Sequence, residues 1–181
     1  LRSLREKTEG RDAKELLADN ISRMEKLIEN TRSFTFEISP PLLYEAGLDA
    51  TLEACCGHMF GTNGVKCDFR SEGTEIRIAE DTKVLLYQMA HEILVNVAKH
   101  AKARNVLVMT RWGAKKVQLF VRDDGVGFDQ SGDNLPSTTS GMGLFSIRER
   151  MSAIGGQFNV ISEPGAGTTV SLIAPIRPAV R

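Results

Sequence analysis

The segment HEILVNVAKH, residues 91–100, sets Glu92, Asn96, Lys99 and His100 at i, i+4, i+7 and i+8, one face of an α-helix. A carboxylate and an amide oxygen on such a face can hold or polarise waters around a hard divalent ion, and an ammonium or imidazolium beside them attracts phosphate. A second group, RDDGVGFD at 122–129, sets Asp123 at a strand end with Gly125 and Gly127 close behind. Glycines let a flat ligand approach the main chain, and a buried carboxylate is a natural acceptor for an exocyclic amino group such as that of adenine. A third, SGMGLFSIRERM at 140–151, puts Gly141 and Gly143 where a loop becomes a helix, so that unpaired amides there could receive phosphate oxygens. Each group also occurs as plain structure: a solvated helix face, an Asp-Gly turn, a glycine pair before a helix. Their occurrence together and in this order, closed by EPGAGTTV at 163–170, is what favours a ligand site.

The elements that must position these residues follow from periodicity. Residues 12–36 read as a helix whose stripe of Leu17, Ile21, Met24 and Ile28, widened by Leu16, Leu27 and Phe34, suits a helical bundle. Ser39, Pro40 and Pro41 end it. A second helix spans 47–60, and the alternation of VKCDFR (65–70) and of TEIRIAE (74–80) predicts strands. A long helix from about 82 to 102, capped by Asp81 or Thr82, carries the first polar group. NVLVMTRW and KKVQLFVRD form a β-hairpin about Gly113, and the small polar residues of 128–140 form a mobile loop. A helix over 142–154 stops at Gly155 and Gly156, and QFNVIS and TTVSLIA supply two more strands. This order favours an α+β layer, an antiparallel or mixed sheet with helices on one face.

The totals exclude some classes of function. Lys plus Arg and Asp plus Glu are equal at 23 each, so no global charge recommends nucleic acid or an anionic membrane as partner. Cys55, Cys56 and Cys67 lack zinc-site spacing and read as small core hydrophobes in a reducing, cytosolic setting. No run approaches the roughly 18 apolar residues of a membrane span. The chain begins at Leu1 in mid-helix style, the look of an excised fragment.

Together these motifs resemble the catalytic domain of a bacterial two-component sensor histidine kinase, a branch of the ATPase superfamily that also includes gyrase B, the Hsp90 chaperones and MutL. HEILVNVAKH resembles its N box, DDGVGFD its G1 box and GMGL its G2 box, while PGAGTTV resembles the terminal Gly-Thr element; the match runs from about 39 to 176. FEISPPLLYEAGL and GMGLFSIRERMSAIGGQ narrow the resemblance to sensors paired with response regulators that carry helix-turn-helix output domains.

The resemblance implies a Bergerat-type two-layer α/β sandwich at 39–181, preceded at 1–38 by part of a dimerisation and phosphotransfer hairpin, mainly its second helix. It implies ATP and Mg2+ as ligands, with Asn96 holding the metal and Lys99 and His100 neutralising phosphate. Asp123, with a water on Thr168, would recognise adenine, while Gly125 and Gly127 shape the base pocket. Residues 128–140 would form a lid, Gly141, Met142 and Gly143 would line the phosphate end, and Glu92 would orient or polarise the nucleophile or a metal-bound water. The family phosphorylates a histidine on the first helix of that hairpin, followed by an acidic residue; His58 precedes Met59, His100 precedes Ala101 and His91 belongs to the N box, so none of the three fits an acceptor. The chain is therefore expected to bind ATP without phosphorylating itself. Its parent would be a homodimer that acts in the cytoplasm, anchored to a membrane or not. An anti-sigma-type serine kinase of the same superfamily and a non-enzymatic dimerisation module are the competing readings.

Overall fold

The computed structural model describes residues 20, 24, 40–61, 64–129 and 140–176. The chain divides into two compact units, Leu1–Ile38 and Ser39–Arg181. In the first, Asn20 and Met24 are helical; the rest of the helix expected over 12–36 lies outside the described residues, as do positions 130–139 of the expected loop.

In the second unit the element order is α1 (Pro41–Glu45), α2 (Gly47–Phe60), β1 (Lys66–Glu72), α3 (Glu80–Asn96), a π-helical turn (Val97–Ala101), β2 (Asn105–Trp112), β3 (Lys116–Asp123), α4 (Ser140–Ala153), β4 (Gln157–Glu163) and β5 (Gly167–Pro175). The strands form one mixed sheet in the order β1-β2-β3-β5-β4. The β1 and β2 pair is parallel and the other pairs are antiparallel. The expected mixed sheet with helices on one face is what the chain forms.

Strand periodicity defines the covered face. Val106, Val108, Thr110 and Trp112 on β2, and Val117, Leu119, Val121 and Asp123 on β3, are all buried, two residues apart. Val170, Leu172 and Ala174 continue that face on β5. Against it α3 lays Leu86, Met89, Ala90, Ile93, Leu94 and Val97, a buried stripe at helical spacing. Cys56 is buried among these residues, Cys55 and Cys67 are half-buried, and all three are free thiols.

Two expectations need correction, and one short helix was not foreseen. TEIRIAE is not a strand: 74–79 has no regular structure, and Glu80 begins α3. The stretch leaves β1's outer edge unjoined and runs instead to α2, where Glu75 accepts the N–H groups of Leu48 and Asp49 at 2.7 and 3.2 Å, at the start of that helix. Pro41 opens α1 behind an N-cap at Pro40, because proline's fixed φ suits the first helical position, where no N–H is needed; the end expected there for the preceding helix lies outside the described residues. Finally, Asp81 and Thr82 lie inside the first turn of α3, whose N-cap is Ala79 with no side-chain cap.

Candidate functional site

The same alternation that buries Val121 carries Asp123 onto the helix-covered face, leaving it 4% exposed at the last position of β3. Its register partner on β5 is Thr168, at the end of the Val170–Leu172–Ala174 face. Gly125 N–H donates to Asp123 Oδ1 at 2.9 Å. Burial pushes the Asp123 carboxyl above the ordinary range, and the backbone N–H groups of Gly125 and Thr168 partly hold it down. The turn that follows is anchored on two sides: Val126 N–H donates to Ala101 O and Gly165 N–H to Val126 O, each at 2.7 Å. Gly127 has φ +57, and a Cβ there would meet Glu163 O at 2.0 Å, so both conformation and space demand glycine.

The end of α3 covers this corner of the sheet. A cavity of about 210 Å³ lies between them, walled by Ile93, Val97, Val121, Leu144 and Val170 and bearing Asn96, His100, Asp123 and Thr168. Gly127 and Phe128 close one side. The structure therefore brings Asn96, His100, Asp123, Gly127 and Thr168 to one cavity, while Glu92, Lys99, Gly125 and Gly143 are not on its wall. For Lys99 the reason is local. From Val97 to Ala101 the helix is π-helical and then ends at Lys102 with φ 51, so i→i+5 winding shifts residues after Asn96 off the α-helical register. His100 reaches the wall and Lys99 faces solvent.

Glu92 and Asn96 meet the start of α4 instead. A Cβ on Gly143 would stand 2.6 Å from Glu92 Oε1 and 3.7 Å from Asn96 Nδ2, so the start of α4 packs directly against these two side chains. Gly141 and Met142 lie in the same first turn of α4; their side chains fall outside the described residues.

Two functional-site neighbours escaped the sequence reading. Ser162, 5% exposed on β4, accepts Phe128 N–H at 2.9 Å and donates to Gly167 O at 3.1 Å, with Thr168 Oγ1 also at 2.9 Å. Arg150 on α4 pairs with Glu92 at 3.0 Å. Neither carries a local signal, since both act across the fold, although RERM stood inside a quoted motif.

As to cation chemistry, no group of three or more His, Cys, Asp or Glu that could hold a metal ion occurs among the described residues. Mg2+ asks for little protein: it keeps several waters and leans on substrate phosphates. One carboxamide on the cavity wall, Asn96, fits that demand. Among the described residues, no helix is long and apolar enough to cross a membrane.

A mixed sheet, with a buried carboxylate at a strand end and an amide on the covering helix, defines an α+β domain with one polar-ended cavity. Residues 81–178 match the family described as histidine kinase-, DNA gyrase B-, and HSP90-like ATPase, and the chain belongs to that family. ATP binding follows from membership. The chain is 32% identical to an uncharacterized sensor-like histidine kinase of Chloroflexus aurantiacus, over 92% of this chain and 29% of that protein. It is 30% identical to the oxygen sensor histidine kinase NreB of Staphylococcus carnosus, over 90% of this chain and 47% of that one. It thus spans less than half the length of these curated relatives. In fold it is similar to the blue-light activated histidine kinase of Erythrobacter litoralis, with TM-score 0.57 and 20% identity over 71% of this chain and 42% of that chain.

Proposed function

We propose that this chain is the ATP-binding catalytic part of a sensor histidine kinase. What supports the reading is the single cavity shared by Asp123 and Asn96, whose polar groups grade outward from buried Asp123 through half-buried Asn96 to exposed His100. Its volume of about 210 Å³ is below the roughly 300 Å³ at which pockets for whole drug-sized ligands begin. It suits a base and part of a sugar, with the phosphates running outward.

In this reading Asp123 accepts the adenine amino group, helped by a water on Thr168, and Gly125 and Gly127 keep the base pocket open. His100 and Lys99 offset phosphate charge, while the first turn of α4, with Gly141, Met142 and Gly143, borders the phosphate end. Asn96 would hold Mg2+, which when bound supplies charge neutralisation to the phosphates. Glu92 orients the incoming nucleophile. The P–O bond to ADP breaks, a P–N bond to a histidine imidazole forms, and ADP leaves; the work of the protein is positioning and electrostatics.

His58 and His100 have no acidic residue after them, and His91, though followed by Glu92, sits in the helix that carries Asn96, so in this reading the acceptor is a histidine on another segment. From there the phosphate passes to a response regulator with a helix-turn-helix output domain, in the cytoplasm, from a homodimeric parent. The test is titration of the chain with a fluorescent ATP analogue with and without Mg2+, followed by labelled ATP and a histidine-bearing helical hairpin in trans. Micromolar binding and acid-labile label on the hairpin are expected. Absence of nucleotide affinity, or an acid-stable serine-linked label, refutes the proposal.

A further inference from the structure

We infer that Arg150 is a positioning residue for phosphoryl transfer, acting through Glu92; the inference rests on the kinase reading above. The two residues lie on different helices, α3 and α4, and Arg150 Nη2 donates to Glu92 Oε2 at 3.0 Å. The guanidinium is itself held at its root. Ser146, one turn earlier, takes Nη2 on its Oγ at 2.8 Å and Nε on its Oγ and carbonyl at 3.2 and 3.3 Å. An arginine fixed in this way meets the carboxylate with its fork already oriented, so little rotamer freedom is lost in making the bond.

The two oxygens of Glu92 consequently have different surroundings. Oε2 is taken by Arg150. Oε1 lies against the start of α4, 2.6 Å from where a Cβ on Gly143 would stand, and the Asn96 amide nitrogen lies 3.7 Å from the same point. Arg150 therefore fixes which oxygen Glu92 presents beside Asn96 and the direction in which it accepts. In an ordinary ion pair this exposed, with side chains 38% and 31% accessible, the contribution to folding is small. A role in orientation is separable from a role in stability for that reason.

The experiment compares Arg150→Ala, Arg150→Lys, Glu92→Gln and the double variant Glu92→Gln/Arg150→Ala. The readouts are analogue binding, thermal melting, and the kcat and KM for ATP in transfer to the hairpin supplied in trans. Arg150→Ala should lower kcat by about tenfold to a hundredfold, the scale of a misplaced reacting group. KM should stay within about threefold, because the base is gripped at Asp123 and Arg150 is not on the cavity wall. Arg150→Lys keeps a cationic donor to Oε2 and should recover much of the rate. The double variant should be no slower than Glu92→Gln alone, the signature of one residue acting through another. A kcat for Arg150→Ala within twofold of wild type overturns the inference, and so does a double variant showing the product of both losses. Loss of binding together with rate overturns it too, by making the pair a structural clasp. If the wild-type chain binds no ATP, it is the kinase reading that fails; if it binds ATP but transfers to no histidine, Glu92 has no reaction to orient and the inference falls with it.

Discussion

Replacing Asp123 with alanine removes one acceptor from the buried end of the cavity. In the ligand-bound state the adenine amino donor would then face the apolar wall formed by Val121 and Val170. A hydrogen bond to a charged group contributes about 1.5–3 kcal/mol. At about 1.4 kcal/mol per decade, ATP should bind roughly ten- to a hundredfold more weakly. The fold should feel less. Alanine leaves the N–H of Gly125 without its acceptor, yet it also removes a charge that burial disfavours, so the melting temperature should move by only a few degrees. The assay is calorimetric titration with ATP, GTP and tripolyphosphate. Guanine presents a carbonyl where adenine presents its amino group, so wild type should prefer ATP and the variant should lose most of that preference, with tripolyphosphate unaffected. An unchanged ATP:GTP ratio, or an equal loss for tripolyphosphate, refutes the adenine assignment. The raised carboxyl adds a sign. The folded state holds this proton more tightly than the unfolded chain, so acidification through its pKa favours folding while removing the anionic acceptor. ATP affinity should therefore begin to fall above the ordinary aspartate range as pH is lowered.

Asn96→Ala should abolish the Mg2+ dependence of ATP affinity and leave adenosine binding unchanged, as read by titration with and without the ion. Gly127→Ala forces alanine to φ +57 against a carbonyl at 2.0 Å. It should destabilise the fold by at least about 2 kcal/mol, visible as a melting temperature roughly 4–8 °C lower. Asp124, whose pKa is lowered to about 2 by the backbone N–H and side chain of Asn105 and the N–H of Arg104, supports the fold above the unfolded pKa of about 3.9 and loses that support as pH falls toward 2. Melting curves of wild type and Asp124→Ala should accordingly differ at neutral pH and converge between about pH 4 and 2.

Wherever a periodic pattern was long and its environment simple, the sequence spoke plainly. The β2–β3 hairpin shows strict alternation because one face packs on helices, and the strand end at Asp123 was legible from it. Ile76 and Ile78 alternate equally well, but a propensity cannot report that Glu75 is drawn to the backbone N–H groups at the start of α2. Nor could spacing announce the π-helical turn, which separates His100 from Lys99 by a change in winding. Arg150 and Ser162 stayed hidden because their partners lie far along the chain, 58 residues away at Glu92 for one and 34 at Phe128 for the other. Tertiary contacts of that range leave no local trace.

The parallel pairing of β1 with β2 carries a consequence for assembly. A hairpin can close by itself, but these two strands are joined through everything from Gly73 to Arg104, and α3 is the crossover. Pairing along that edge closes a loop that holds the helix bearing Asn96, a larger entropic cost than the β2–β3 turn, so β2 and β3 should meet earlier. In refolding, the amide-bearing wall of the nucleotide cavity and the sheet margin should mature in the same late step, so nucleotide capture itself would serve as a clock for topological closure.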